Sequence, residues 1–342
     1  MGKRVLFLTL ASVLLFASCT SGIDGASIGI FNLYWIIAAV AGGMFGAAIG
    51  PNFAFGFTGV LILLGIPVSM ITGSTIALDY IAFGPVFGPH ISFAGGAAAT
   101  AYAAKIGKLE SGGKDVNAQL VALNNPGVLW MGGLFGVFGY VVLELTKLIP
   151  WLGSHTDNVA LTVFTSGMVA RVLFGVKTRS IISTNLTPDD TNCWLRWQEK
   201  PAQLITVALM ASTLSAFLVV AVHYYLDSKG VNLPGADILK ANVQTIPFAI
   251  SALCIFFVSM GYKYPVTHHM TVTAGLAASV FYPILGDAFS AAGVGVFFGV
   301  FSAIMCEVNA RIFYNNGDTH IDPPASIIWL TTALIFLSAG IV

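Results

Sequence analysis

Long apolar stretches alternate with short polar ones along the whole chain. A helix that crosses a membrane needs about 20 consecutive, mostly apolar residues. Stretches of nearly this length or longer occupy 31–50, 53–70, 88–104, 126–149, 158–176, 201–225, 245–262, 267–284, 291–308 and 323–342. The pattern therefore predicts an all-α, polytopic integral membrane protein with about ten transmembrane helices.

Two further apolar segments do not fit this series. Residues 1–22 have a basic start, an apolar centre and small residues at the end, which is typical of a signal peptide. An uncleaved anchor helix is the alternative. The segment 71–86 is apolar but short and interrupted by glycine. Because non-helical backbone at membrane depth must be enclosed by protein, we predict a re-entrant segment here rather than a span.

The basic residues are distributed unevenly between the two predicted faces. With the N-terminus inside, eleven lysines and arginines fall on the cytoplasmic side and two on the outer side. Cytoplasmic loops of plasma membrane proteins are enriched in these residues. We therefore predict that loops 105–125 and 177–200 are cytoplasmic, that 226–244 lies outside, and that the protein is integral to the plasma (cytoplasmic) membrane.

The two halves of the chain resemble each other. Segment 88–103 aligns with 267–282, 131–145 with 294–308, and 155–161 with 320–326, in the same order. We assign 28–190 to a first five-helix repeat and 191–342 to a second. Since five is odd, the second repeat must enter the membrane from the opposite side. Inverted repeats are typical of secondary transporters and of some channels, whose substrates pass between the repeats.

Composition excludes several other classes of protein. Only 9% of residues are charged, and the mean hydropathy is +0.85, which is far from the values of a soluble domain. The 15 basic and 15 acidic residues balance, so nothing points to nucleic acid. The four cysteines form no metal-like spacing, and no catalytic or cofactor motif is present. We expect no metal site, no cofactor and no enzymatic activity.

Three residues are the predicted substrate contacts. His90 and His269 occupy aligned positions, each just before a helix rich in small residues. Helix N-termini carry partial positive charge and free amides, which suit a polar or anionic solute. Asp79 lies in the predicted re-entrant segment. We expect all three to approach one polar cavity; histidines that merely cap helices at opposite interfaces are the alternative.

Other ionisable residues suggest gating or ion pairing, because charges inside a membrane are costly without a partner or a cavity. Arg171 lies within a predicted span, and an ion pair with Glu144 is the simplest explanation for both. Two aligned His-x-Asp motifs precede helices, where aspartate is a favoured N-cap. Gating by titratable histidines is the alternative. These candidates are Glu144, Glu307, Arg171, His155, Asp157, His320 and Asp322.

Glycines at four-residue spacing, such as Gly42, Gly46 and Gly50, form smooth helix faces. Small residues allow helices to approach closely in lipid, so these faces predict internal packing or a homo-oligomer interface. Apart from the lipid bilayer and an unidentified small molecule or ion, no other partner is implied. The sequence thus predicts a transporter or channel for a small solute. A non-transporting membrane subunit or scaffold is the alternative, and an intramembrane enzyme is a third.

Overall fold

The computed structural model describes residues 27, 28, 30–183, 185–187, 193–228 and 233–341. The predicted signal or anchor segment, 1–22, lies outside these residues. Helix dominates the described chain; its only strands there are Ser27–Ile28 and Phe31–Asn32, paired antiparallel. The ten long helices are α1 (Leu33–Ile49), α2 (Pro51–Thr72), α3 (Ser92–Lys105), α4 (Pro126–Lys147), α5 (Asn158–Phe174), α6 (Pro201–Ser228), α7 (Thr245–Ser259), α8 (His268–Leu285), α9 (Ala288–Asn309) and α10 (Pro323–Ser338). Each overlaps one predicted apolar stretch.

Local signals in the sequence determine where these helices begin and end. Asn125 caps α4 by accepting a hydrogen bond from the amide of Gly127, at 3.0 Å, and Asp287 caps α9 through the amide of Ser290, at 2.7 Å. Proline occupies the first position of α4, where its missing amide costs nothing. α2 ends at Gly73, whose φ of 69° is left-handed and favours glycine.

Not every helix is long enough to cross a membrane alone. By length and composition, four described helices qualify: α2, α4, α6 and α9 with its π-helical extension to Tyr314. A short helix, Ala236–Asn242, and α7 qualify together as a fifth, bent by 55° between them. α3 has 14 residues, about 21 Å at 1.5 Å per residue, and cannot span about 30 Å of hydrocarbon. The predicted total of about ten full spans therefore exceeds what helix length alone supports.

The five helices of each half pack in the same arrangement. α1 packs against α3 and α4, as α6 packs against α8 and α9, and α5 contacts α3 and α4, as α10 contacts α8 and α9. Individual contacts between these helices match as well. A Cβ on Gly46 of α1 would lie 1.8 Å from the carbonyl oxygen of Ser92. At the corresponding place in the second half, the hydroxyl of Ser215 donates to the carbonyl of Thr271, at 2.6 Å.

Corresponding helices of the two halves pack against each other, α2 on α7 and α5 on α10. α5 and α10 run antiparallel, because contacts move backwards along α10 as the chain advances along α5. The indole of Trp151, before α5, donates to the carbonyl of Ile341, and Thr156 donates to the carbonyl of Trp329. Gly167, farther along α5, lies against Ile321, which precedes α10.

The predicted re-entrant segment folds back along α2. A π-helix, Ala77–Ala82, packs on α2 with Leu78 against Gly65. Farther along, the hydroxyl of Thr58, two turns into α2, donates to the carbonyl of Phe87, at 2.8 Å. Because the chain returns so deep into the bundle, α3 starts in its interior rather than at its surface.

Loops predicted to share the cytoplasmic face meet at one end of the bundle. Lys114, from the loop after α3, donates to the carbonyl of Asn315, at 2.7 Å. Asp318 accepts from the amides of Val176 and Lys177, both at 2.7 Å. Loop 106–125, the chain after α5 and the segment before α10 therefore form one continuous polar layer.

Candidate functional site

A cavity of about 240 Å³ lies between the two halves. Corresponding helices line it in pairs: α2 with α7, α3 with α8, and α5 with α10. The N-terminal ends of α3, α5, α8 and α10 all reach it, through Pro89, Asp157, His268 and Asp322. The cavity therefore lies where four helices begin inside the bundle.

The two aspartates of the cavity cap their own helices. Asp157 Oδ1 accepts from the amide of Ala160, and Asp322 Oδ2 accepts from the amide of Ala325, each at 2.8 Å. One side of α5 and one side of α10 line the cavity. Each of these sides includes the capping aspartate and an apolar residue farther along the helix, Val163 in α5 and Ile328 in α10. Each carboxylate thus lies beside apolar walls, with its charge directed at a helix N-terminus.

Two histidines of the cavity have ring nitrogens without a partner. His320 is 6% exposed, and its Nε2 lies 3.1 Å from Asp322 Oδ1, while its Nδ1 has no hydrogen-bond partner. His268 is 7% exposed, and its Nδ1 also lacks a partner. Buried polar atoms are nearly always paired, so these two nitrogens mark places where something else can bind.

Lys114 supplies the one positive charge among the lining residues. Its ammonium lies over the ring of Tyr314, 4.4 Å from the centroid, in addition to its bond to Asn315. Burial, and secondly the nearby charge of Arg171, lower the pKa of Lys114 to about 8. This lysine therefore loses its proton more readily than an exposed one.

Aromatic rings form much of the cavity wall. The ring of Phe55 lies 4.8 Å from that of His268 and 6.2 Å from that of Phe93, centroid to centroid. The ring of Phe93 in turn lies 5.7 Å from His320. Other aromatic lining residues are Phe83, Trp194, Trp197, Phe248 and Tyr314. The cavity is thus mostly apolar, with a few convergent polar groups, as small-molecule sites usually are.

The predicted substrate residues His90, His269 and Asp79 do not share this cavity. Asp79 is exposed and accepts from the hydroxyl of Thr75, at 2.6 Å. His90 and His269 are each 1% exposed and lie against the other helices of their own halves. For His269 the reason is helical rotation, because adjacent helical residues point about 100° apart and His268 is the one that faces the cavity. In the turn before α3, Pro89 rather than His90 lines the cavity.

The alignment of His90 with His269 nevertheless has a structural counterpart. A Cβ on Gly139 of α4 would lie 1.8 Å from the carbonyl oxygen of His90. The hydroxyl of Ser302, at the corresponding position of α9, donates to the carbonyl of His269, at 3.0 Å. The two histidines thus occupy matching places in the two halves. His269 borders a much smaller neighbouring pocket together with Glu307 and Trp194, and Trp194 lines the main cavity too.

The expected ion pair between Glu144 and Arg171 is wrong. Glu144 pairs with Lys147, at 2.8 Å. α4 and α5 are consecutive and antiparallel, so residues late in each helix lie at opposite ends of the bundle. Arg171 is 1% exposed and binds the second half instead, donating to the hydroxyl and carbonyl of Thr319, at 2.5 and 2.7 Å.

The remaining gating candidates divide between the cavity and elsewhere. Asp157, His320 and Asp322 line the cavity. His155 does not: its ring stacks on that of Trp151, at 5.1 Å between centroids, and its Nδ1 lies 2.8 Å from the carbonyl oxygen of Trp151. Glu307 pairs with Arg311, at 3.1 Å. The two His-x-Asp motifs therefore differ in the placement of their histidines, although both aspartates cap helices.

Sequence reasoning missed several polar residues of the cavity, among them His268, Lys114 and Tyr314. His268 directly precedes a residue that was selected, so the His-His pair was the available signal. Lys114 and Tyr314 come from loop 106–125 and from the π-helix Ala310–Tyr314, and no pattern relates them. Among the described residues, no three His, Cys, Asp or Glu side chains are grouped to hold a metal ion.

Comparison with known proteins gives one family. No curated protein and no solved structure matches the chain. The sequence model of one family, a family of unknown function (DUF7973), matches twice, at residues 25–187 and again at residues 180–342. These two ranges correspond to the two sets of five helices. The chain belongs to the DUF7973 family, whose model it matches once in each half.

Proposed function

We propose that this protein is a multi-pass transporter or channel of the plasma membrane, and that a small solute passes between its two inverted repeats. The observation that carries the proposal is the cavity of about 240 Å³ lined in pairs by corresponding helices of both halves. A site on the boundary between inverted repeats can be exposed to either face by moving one half against the other.

The inverted arrangement has two supports. One family model matches each half of the chain, which supports a duplication. Corresponding helices α5 and α10 pack antiparallel, as they do when two repeats enter the bilayer from opposite faces. In this arrangement, the helices that are too short to span begin at mid-depth. α3 and α5 run from there toward one face of the membrane, and α8 and α10 run toward the other.

The cavity also distinguishes this proposal from a scaffold. A non-transporting subunit needs only packed helices, and buried polar atoms without partners would destabilise it at no benefit. Here two histidine nitrogens stay unpaired beside a chamber large enough for a small solute. Among the described residues that line the chamber, no nucleophile lies next to a base, so an intramembrane enzyme has less support.

Cysteine modification of the cavity tests the proposal. Ala160 and Ala325 line it from α5 and α10. Each is changed to cysteine in a full-length chain whose four native cysteines are replaced by alanine. The protein is reconstituted in liposomes, and uptake of labelled small cations, anions and neutral solutes is measured before and after treatment with a methanethiosulfonate reagent. We expect uptake above that of protein-free liposomes, and its loss after modification at either position.

Leu64→Cys is the matched control, because Leu64 is 62% exposed on the outer surface of α2 and does not line the cavity. Its modification should leave uptake unchanged. Absence of uptake for all three solute classes, or uptake that modification of Ala160→Cys and Ala325→Cys does not alter, would contradict a path through the cavity.

A further inference from the structure

More negative than positive groups line the cavity. Asp157 and Asp322 contribute two carboxylates, and Lys114 contributes one ammonium group. The ammonium already has partners in the protein, the carbonyl of Asn315 and the ring of Tyr314. With neutral imidazoles, the lining therefore has a net charge of −1, and a monovalent cation is the ion that neutralises it.

Hydrogen bonding at His320 identifies what the cavity lacks. An ionised carboxylate only accepts hydrogen bonds, so the contact of His320 Nε2 with Asp322 Oδ1 places a proton on Nε2. In the neutral ring Nδ1 then carries a lone pair and is an acceptor. This acceptor is buried and has no partner. For the neutral ring, the missing partner is therefore a hydrogen-bond donor.

The N-termini of α5 and α10 do not favour a bound anion. At each of them one amide, that of Ala160 or Ala325, already donates to the aspartate that caps the helix. A bound anion would have to compete with these carboxylates and would be repelled by them. Aromatic rings also line the cavity, and the face of an aromatic ring attracts cations.

We propose that the cavity binds a small organic cation bearing N–H groups, an amine or guanidine, between the carboxylates of Asp157 and Asp322 and the aromatic side chains around His268 and His320. The cation donates to His320 Nδ1 and its charge is balanced by the carboxylates of the lining, while its hydrocarbon part contacts rings such as Phe55 and Phe93. This assignment of substrate class rests on the proposed function, because it takes the cavity to be the solute site.

Equilibrium binding to the purified full-length protein in detergent tests the substrate class without requiring transport. Benzylammonium, benzyl alcohol and benzoate have similar shapes and differ in charge. The intrinsic fluorescence of the protein reports binding, since Trp194 and Trp197 line the cavity. We expect benzylammonium to bind at least about tenfold more tightly than either analogue, a difference that one ion pair at a protein site can supply.

Charge-removing variants locate the binding. Asn caps helices about as well as Asp, so Asp157→Asn and Asp322→Asn keep their helices while removing the charge. Each should weaken benzylammonium binding by about tenfold or more and leave benzyl alcohol binding unchanged. Asp287→Asn is the control, because Asp287 caps α9 in the same way but is exposed and does not line the cavity.

The outcomes separate this proposal from the proposed function. Equal affinity for all three ligands, tighter binding of benzoate, or unchanged binding in both aspartate variants would overturn the cation assignment. If uptake in liposomes is nevertheless blocked by modification of the cavity cysteines, the transport proposal survives this result. Selective benzylammonium binding without any uptake would instead support the site and contradict transport.

Discussion

Asp157 and Asp322 occupy equivalent places on two antiparallel helices that pack side by side. Each accepts a hydrogen bond 2.8 Å long from the amide three residues later, and both line the same cavity. The start of each helix lies beside a later part of the other, because Thr156 donates to the carbonyl of Trp329 and Gly167 lies against Ile321. This relationship places two helix N-termini, with their caps, inside the bundle rather than at its surface.

The first prediction concerns the caps. Asp322→Ala should lower the free energy of unfolding by about 1 kcal/mol, because the N-terminal amides of α10 lose their acceptor. Asp322→Asn should lower it less, since the amide oxygen of asparagine can cap. Thermal unfolding in detergent measures both. Asp79→Ala is the control, because Asp79 is exposed and caps no α-helix, and an equal loss there would contradict the capping role.

Arg171 links the two halves, and its loss should be costly. Lysine cannot reproduce its hydrogen bonds to both the hydroxyl and the carbonyl of Thr319. We expect Arg171→Lys to destabilise the protein by about 2 kcal/mol, as for other bonds to a charged group. The exposed Arg179 is the control, and Arg179→Lys should be neutral. Equal thermal midpoints for the two variants would show that Arg171 contributes no such link.

Close helix packing around Gly46 predicts a third result. A Cβ there would overlap the carbonyl oxygen of Ser92 in the backbone of α3. Gly46→Ala should destabilise the fold by about 2 kcal/mol. Gly293 in α9 has open space around it, so Gly293→Ala should be neutral or stabilising, by up to about 1 kcal/mol. Detergent unfolding of both variants decides; a neutral Gly46→Ala would argue against such close contact.

Accessibility labelling tests the inversion of the repeats. Lys108 follows α3, and Ser290, in the first turn of α9, follows the corresponding helix α8; both are exposed. In inverted repeats these positions face opposite sides of the membrane. Single cysteines at the two positions, in a cysteine-free background, should therefore react oppositely with an impermeant thiol reagent applied from outside. We expect Ser290→Cys to label and Lys108→Cys not to; labelling of both would contradict inversion.

The lowered pKa of Lys114, about 8, predicts how cation binding depends on pH. Above pH 8 the lysine becomes neutral, the cavity becomes more negative, and binding should strengthen. Benzylguanidinium is the suitable ligand because guanidinium stays protonated throughout this range. Its affinity should rise between pH 7 and pH 9. In Lys114→Gln it should already be higher at pH 7 and should not change with pH; a similar rise in the variant would exclude Lys114 as its cause.

Much of the fold can be predicted from local sequence patterns. The apolar stretches and their polar, proline and glycine boundaries predict the positions of all ten long helices. Glu144 and Glu307 occupy aligned positions on α4 and α9, and each pairs with a basic residue three or four positions later, although we expected Glu144 to pair with Arg171. These features depend on helix periodicity and on neighbours three or four residues apart, which a sequence displays directly.

The site depended on information that the sequence does not display. His-x-Asp motifs predict helix caps, but only the packing of α5 against α10 brings Asp157 and Asp322 to one cavity. Which of two adjacent histidines faces the cavity is a matter of helix rotation, and His268 faces it rather than His269. Lys114 arrives from a loop more than 150 residues from His268.

By itself, the sequence determined an apolar, helical, duplicated chain with capped helices, because hydrophobicity, capping and repetition are local or periodic properties. Tertiary structure alone decided that Arg171 binds Thr319 rather than Glu144, and that the cavity opens where four helices begin. The physical reason is that charge pairing and cavity lining depend on which faces meet across two halves. Which helix faces meet is determined by the close packing of whole helices, through many weak contacts rather than through any single residue.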